Sequence, residues 1–204
     1  PFREAYFEDA EKAIAEEGDN LRPQAIDFLR SFAHTEAYRR LADESSLVKQ
    51  VRPCWTGAPY PPIFHTVDAV VLQAGHILLI ERRGLPGKGL LALPGGYIDE
   101  HERIQESMLR ELREETGLDV PARVVAGSIE ARRDFDHPYR SARGRVITTA
   151  FLVQLVPTGQ GLPEVRGGDD ARRAFWLPLN EVEPERMFED HYHIIQTMVP
   201  LAPL

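Results

Sequence analysis

The chain has 204 residues, enough for one substantial core or one core with an appendage. Hydrophobic residues make up 43% and charged residues 27%, the balance of an ordinary globular protein rather than a fibrous or disordered one. A formal net charge of -8 argues against a general nucleic-acid binder, but not against a phosphorylated substrate, because cations or a local basic cluster can reverse the field inside a cleft.

Residues 1–52 read as helices at Phe2–Glu17, Pro23–Phe32 and Glu36–Val51, with Phe28, Leu29 and Phe32 at helical spacing and Asn20 placed to cap the second. Strand signals are few, so segment 1–58 is expected to be a small helical arm or the tail of a preceding domain. The stretch from Tyr6 to Phe32 carries apolar faces that need burial, which makes a homodimer surface the expectation. The chain opens at Pro1 without a methionine, so it is expected to begin inside a longer polypeptide. Cys54 is the single cysteine, which leaves no intrachain disulfide and fits a reducing compartment. Gly57-Ala58-Pro59-Tyr60-Pro61-Pro62 is read as a linker, since its prolines cannot continue a helix.

Strands are predicted at Thr66–Gln73 and His76–Glu81, joined across Ala74-Gly75 as a hairpin. Leu90–Leu93 is short and apolar and runs into the turn Pro94-Gly95-Gly96. A helical pattern spans Ile104 to Thr116 and stops at Gly117, a predicted C-terminal cap. Further strands are predicted at Arg123–Arg132, Arg145–Leu155 and Ala174–Leu177, and a last helix at Glu189–Val199. This mixture predicts one α/β domain with a mixed sheet over residues 59–204. No signal peptide and no apolar run near the roughly 18 residues of a membrane span is present, so a soluble, cytoplasmic protein is expected.

The informative stretch is Gly96 to Leu118. On a helical wheel at roughly 100° per residue with Glu111 at zero, Ile104, Met108 and Leu112 form an apolar stripe, Glu115 falls inside it and Glu111 at its edge. A carboxylate on an apolar face is costly unless a charge compensates it, and two carboxylates one turn apart repel each other. Mg²⁺ or Mn²⁺ relieves both costs, because hard cations prefer oxygen ligands. Glu111 and Glu115 are four residues apart and can reach one cation, Glu114 can join from the flank, and Gly96 can bring a backbone carbonyl close. Three glutamates alone would be read as a solvated, salt-bridged helix, with Arg110 and Glu114 as an ordinary pair. The wheel position of Glu115 argues against that.

The whole pattern resembles the Nudix box, with Gly96, Glu102, Arg110-Glu111-Leu112, Glu114-Glu115, Gly117 and Leu118 at every defined position. The resemblance implies an α/β/α sandwich and hydrolysis of a diphosphate bond. It also implies Mg²⁺ held by Glu111 and Glu115 with Glu114 assisting, Arg110 orienting the glutamates, and Glu102 supporting loop and helix. In such chemistry cations neutralise the polyanion and lower the pKa of a water, and a carboxylate takes the proton. The base is expected on a later loop, at Asp169 or Asp170 in Gly167-Gly168-Asp169-Asp170, with Glu164 in reserve; the alternative is a plain turn.

The segment Asp134 to Arg145 places Arg140, Arg143 and Arg145 close together in an acidic protein, and their guanidinium forks suit a distal phosphate or ribose. The alternative is a solvated hairpin loop. Residues 59–204 also resemble the Nudix domain of bifunctional nicotinamide-mononucleotide adenylyltransferase/Nudix proteins. The resemblance rests on Ala58-Pro59-Tyr60-Pro61-Pro62, Thr66-Val67-Asp68-Ala69-Val70-Val71, Pro86-Gly87-Lys88-Gly89-Leu90, Ala92-Leu93-Pro94-Gly95-Gly96, Phe135-Asp136-His137-Pro138, Arg140-Ser141, Arg143-Gly144-Arg145 and Glu189-Asp190-His191. It implies cleavage of ADP-ribose to AMP and ribose 5-phosphate, in NAD metabolism. The His-x-Gly-His motif of the adenylyltransferase half is absent, so that activity is not expected. Two alternatives stand beside it: a house-cleaning nucleoside triphosphate pyrophosphohydrolase, and a non-catalytic ADP-ribose-sensing domain of a transcription regulator. His191 and His193 point apart on the last predicted helix and are not read as a metal pair. The expected partner is a small nucleotide, with no nucleic acid and no membrane.

Overall fold

The computed structural model describes residues 23–55, 57, 59–157, 159 and 161–201. The helix predicted at Phe2–Glu17, the cap at Asn20 and the Tyr6 end of the expected dimer surface lie outside the described residues. The chain divides into two compact units, Pro1–Ala58 and Pro59–Leu204.

In the first unit, α1 (Pro23–Ala33) and α2 (Glu36–Val51) are followed by a 3-10 turn, Arg52–Trp55. The break between the helices falls at Thr35, whose hydroxyl accepts the Tyr38 backbone N–H at 3.1 Å, the bond an N-cap makes. Phe32 stacks on Phe28 at 5.9 Å and meets Tyr38 edge-on at 5.8 Å.

In the second unit the order is β1 (Ile63–Gln73), β2 (His76–Arg82), β3 (Leu91–Ala92), β4 (Gly95–Tyr97), α3 (Ile104–Thr116), α4 (Ala122–Gly127), β5 (Ile129–Phe135), β6 (Arg145–Gln154), β7 (Ala171–Pro178) and α5 (His191–Met198), with short 3-10 turns after β7 and α5. The strands form one mixed sheet in the order β3-β2-β1-β6-β5, with β4 on β1 and β7 on β2. β1 and β6 run parallel from Ile63↔Arg145 to Leu72↔Gln154, whereas the other strand pairs are antiparallel.

Alternation along β1 builds two cores. Val67, Ala69 and Val71 pack with Met108 and Leu112 of α3 and Val125 of α4, while Val70 and Leu72 pack with Ile194, Ile195 and Met198 of α5. A strand buried on both faces reads as a continuous apolar run, which is how 66–73 reads. The result is the α/β/α sandwich the resemblance implied. Because Leu112 is 1% exposed, Leu112→Ala is expected to cost about 2–5 kcal/mol. A lowered denaturant midpoint at unchanged slope is the check.

Two elements differ from the sequence reading. The strand predicted at Arg123–Arg132 is a short helix, α4, followed by β5 shifted to Ile129–Phe135. Arg123-Val124-Val125 looks strand-like, but Pro121 starts a helical turn in which the Val124 and Val125 N–H groups donate to its carbonyl, and Val125 reaches the α3 core. The turn at Pro94-Gly95-Gly96 also becomes β4, because Gly95, Gly96 and Tyr97 pair with Asp68, Val67 and Thr66 of β1.

Candidate active site

The site grows from α3. At its start the Glu106 carboxylate accepts the Arg103 backbone N–H at 2.9 Å. At its end Gly117 adopts φ 51°, a left-handed conformation open to glycine, and donates to the Arg113 carbonyl. Between these ends the apolar stripe fixes which way each glutamate faces.

Glu115 lies on the buried side, 4% exposed, with Oε2 accepting the Gly95 backbone N–H at 2.8 Å. Burial pushes its carboxyl up to about 8; the Gly95 hydrogen bond and the Arg82 charge oppose the rise, and Glu111 and Asp68 add to it. Glu111 is raised too, first by burial, with Arg110 opposing and Glu114 and Asp169 adding. The Glu114 side chain is 46% exposed.

Arg110 ties the acids together. Its Nε donates to Glu102 at 2.9 and 3.0 Å, one terminal nitrogen donates to Glu111 at 2.8 Å and Glu114 at 3.1 Å, and the other donates to the Tyr97 carbonyl at 3.2 Å. The guanidinium is held even more firmly as a cation, above all by Glu102. Glu102, accepting from Arg110 and Ser107, is held below the usual carboxylate range. A Cβ on Gly96 would sit 2.5 Å from Glu111 Oε1, so the backbone lies directly against that carboxylate.

These residues fit a hard divalent cation. Glu115 is a buried acid whose charge is unfavourable without a close positive partner, and Glu111, though paired with Arg110 at 2.8 Å, is also raised by burial. Among the described residues no three His, Cys, Asp or Glu side chains form a ready donor set. Mg²⁺ asks for less: one or two carboxylates, with waters and substrate phosphates completing its shell.

The loop carrying Asp169 and Asp170 runs along the last turn of α3, where the Arg166 and Gly168 N–H groups donate to the Thr116 and Glu115 carbonyls at 2.8 and 3.1 Å. Asp169 adopts φ 45°, and its charge adds to the rise in the Glu111 pKa. The Asp170 charge acts on Arg82 instead. Glu164 offers its carbonyl to the Asp119 N–H, past Gly117.

The three arginines take different positions. Arg140, with a side chain 3% exposed, donates to both oxygens of Asp190 at 2.8 and 2.9 Å. Arg145 donates to the Asp136 carbonyl. Arg143 faces Glu189 at 3.4 Å and the rings of Tyr97 and Phe188 at 5.7 and 5.8 Å.

Sequence reasoning gave no site role to three residues. Arg82 ends β2, lies 4.2 Å over the Phe188 ring and donates through Nε to the Pro86 carbonyl. Burial and then Arg143 depress its pKa, while Glu115, Glu189 and Asp170 support its charge. Asp68 and His191 are buried on the α5 face of the sheet. A charge inside an apolar strand was the legible signal for Asp68, and Arg82-Arg83 before Gly84 was the one for Arg82. A separate cavity of about 400 Å³ beside α3, lined by Leu109, Leu112, Leu118, Val120 and Val125, includes none of the helix's glutamates and is set apart from this chemistry.

A family model described as the NUDIX domain matches residues 63–198. The chain is 35% identical over 130 residues to the ADP-ribose pyrophosphatase of Methanocaldococcus jannaschii, a match covering 64% of this chain and 69% of that protein. It is 37% identical over 144 residues to an ADPR responsive transcriptional repressor of Acinetobacter baylyi, covering 67% of this chain and 53% of the repressor. A bifunctional NMN adenylyltransferase/ADP ribose pyrophosphatase from Francisella tularensis, solved with AMP and a Mn ion, superposes with TM-score 0.83 at 37% identity, covering 86% of this chain and 52% of that one. The chain thus spans about half the length of the latter two proteins.

Proposed function

The chain belongs to the Nudix family of hydrolases, and on that premise we propose that it cleaves the diphosphate bond of ADP-ribose to AMP and ribose 5-phosphate, with Mg²⁺ or Mn²⁺ as cofactor. The observation that carries the reading is an acid pair one turn apart on α3, Glu115 buried on the Gly95 N–H and Glu111 against the Gly96 backbone, with the charge of half-buried Arg82 acting on Glu115. Cation-binding acids next to an arginine suit the bridging diphosphate of a nucleotide. Similarity to the ADP-ribose pyrophosphatase of Methanocaldococcus jannaschii supports the particular substrate.

Glu111 and Glu115 would hold the cation with the Gly96 carbonyl, and Glu114, half-exposed, would join from the solvent side. Arg110 ties Glu111 and Glu114 to Glu102, and the Gly95 N–H holds Glu115. A bound cation supplies neutralisation of the diphosphate oxygens and a more acidic water. Asp169, on the loop held to the end of α3 by the Gly168 N–H, would receive the proton of the attacking water, with Asp170 beside it in sequence. Arg82 and Arg143, on the Phe188 ring, grip a phosphate; Arg140 and Arg145 act by shaping the loop that carries Arg143.

Hydrolysis of ADP-ribose in ¹⁸O-water with Mg²⁺ tests this reading. Equal amounts of AMP and ribose 5-phosphate, one of them labelled, are expected. Release of inorganic pyrophosphate from nucleoside triphosphates with ADP-ribose left intact would replace it with the house-cleaning alternative. Similarity to the repressor supports a second reading, in which ADP-ribose is sensed; tight binding without turnover would select it. The reading also includes a cytoplasmic location and a homodimer joined through the helical arm. Among the described residues no helix is long and apolar enough to cross a membrane. A monomer's mass by light scattering would remove the dimer.

A further inference from the structure

Two faces of the sheet meet at Leu93-Pro94-Gly95, the segment leading into the acid helix. Pro94 has no N–H, so Leu93 and Gly95 supply the only backbone donors there. Gly95 donates to Glu115 Oε2 at 2.8 Å, from the α3 side. Leu93 donates to His191 Nδ1 at 2.9 Å, from the α5 side. The intervening Pro94 carbonyl accepts the Ala69 N–H of β1 at 2.8 Å. These three hydrogen-bonding groups of the segment are therefore occupied, and both side-chain acceptors come from helices on opposite faces.

His191 is itself held in one orientation. It is the first residue of α5, 6% exposed, with its ring edge-on to Phe188 at 5.5 Å. Because Nδ1 accepts, the ring proton of the neutral form sits on Nε2, which faces Asp68 Oδ1 at 3.8 Å. Asp68 is fixed by the Thr148 hydroxyl, donating at 2.6 Å, and has Arg140 at 4.0 Å. Arg140 in turn grips Asp190, the residue before His191.

We propose that His191 is a positioning residue for Glu115: by accepting the Leu93 N–H it sets the peptide planes through Pro94, so that the Gly95 N–H aims the Glu115 carboxylate at the cation site. The inference rests on the pyrophosphohydrolase reading for its catalytic consequence, but not for its structural one. Without the acceptor, the Leu93 N–H is left buried and unpaired, the segment rotates to find another partner, and Glu115 loses its donor. Groups that orient metal-binding side chains are typically worth about 10–100-fold in metal affinity or activity.

Three variants test it: His191→Leu, which removes the acceptor; His191→Asn, whose amide oxygen takes the place of Nδ1; and His191→Gln, whose oxygen does not. In the cation-free, substrate-free protein, Leu93 and Gly95 amide hydrogen exchange is expected to quicken by at least about 10-fold in the Leu and Gln variants and to return toward wild type in the Asn variant, with the amides of α3 unchanged. Mn²⁺ binding, read by electron paramagnetic resonance, should weaken by about 10-fold in the same two variants and recover in the Asn variant. If ADP-ribose is the substrate, kcat falls in the Leu and Gln variants and recovers in the Asn variant, at constant KM. Uniform loss of protection across the domain, equal behaviour of Asn and Gln, or unchanged Mn²⁺ binding would overturn the assignment. If His191→Leu does not fold, the Asn–Gln comparison decides alone. Because exchange and Mn²⁺ binding need no substrate, both measurements would still decide the role of His191 if ADP-ribose proved not to be cleaved.

Discussion

Glu115→Gln is expected to cut hydrolysis by at least about 10²-fold, the scale on which groups holding the reacting water and its proton matter. The substitution keeps the shape and the hydrogen bond from Gly95 while removing the charge the cation needs. Its effect on stability should have the opposite sign. In the metal-free protein, burial raises the Glu115 pKa to about 8, against about 4.3 in the unfolded chain. Between these values the folded chain binds more protons than the unfolded one, so stability falls as pH rises through that window. The contribution is fully present below the unfolded pKa and is lost as pH climbs through the folded one. Melting curves of metal-free wild type and Glu115→Gln from mildly acid to mildly alkaline pH should therefore diverge, the variant gaining relative to wild type as pH increases. Mg²⁺ or Mn²⁺ at alkaline pH should restore the wild type and leave the variant unmoved. Parallel curves would mean that the carboxylate is solvated, and the burial argument would fail.

The second large effect is expected at Gly96. A methyl group there would stand 2.5 Å from Glu111 Oε1 and 2.6 Å from its carboxyl carbon, closer than nonbonded atoms approach. Either the carboxylate swings away or the β4 backbone retreats from β1. A displacement near 1 Å at a reacting centre costs about 10²-fold, so Gly96→Ala is expected to lose about that factor in kcat. Gly127→Ala is the control: nothing lies within 4 Å of its added carbon, and it should leave kcat unchanged. Equal activities for the two variants would show that the Gly96 backbone plays no part in holding the cation.

Where local chemistry determined the structure, the sequence was readable. The helix Ile104–Thr116 carries its own stripe, its own stop at Gly117 and its own buried acid, so a wheel placed Glu115 correctly on the inner face. Strands β1 and β2 were legible for the same reason, as apolar runs around a two-residue turn. Elements decided by distant partners were not. Gly95–Tyr97 has no strand character of its own and becomes a strand through β1. Ala122–Gly127 has strand-like valines and becomes a helix because Pro121 starts it and Val125 finds α3. The arginine cluster was visible as composition, but its division of labour was not: Arg140 is turned inward by Asp190, roughly fifty residues away in sequence. Arg82, Asp68 and His191 are single polar residues whose partners lie far off in sequence: the charges of Arg82 and Asp68 act on Glu115, and His191 meets Asp68 and Leu93 from the α5 face.

The parallel pairing of β1 with β6 has a further consequence, for the order in which the molecule can assemble. Each β1 residue waits for a partner roughly eighty residues downstream, and contacts of that separation are the ones that slow folding. The β1–β2 hairpin and the acid helix emerge from a ribosome before β6 exists. Until it arrives, Val67, Val71 and the apolar side of α3 lack Phe151 and Val153 as neighbours, and one whole edge of β1 is open. A nascent chain stalled before residue 145 would present that edge to other chains. Ribosome-bound intermediates of this length should therefore be protease-sensitive and prone to self-association, and the glutamates should acquire their common geometry only after the last strand of the central pair is in place.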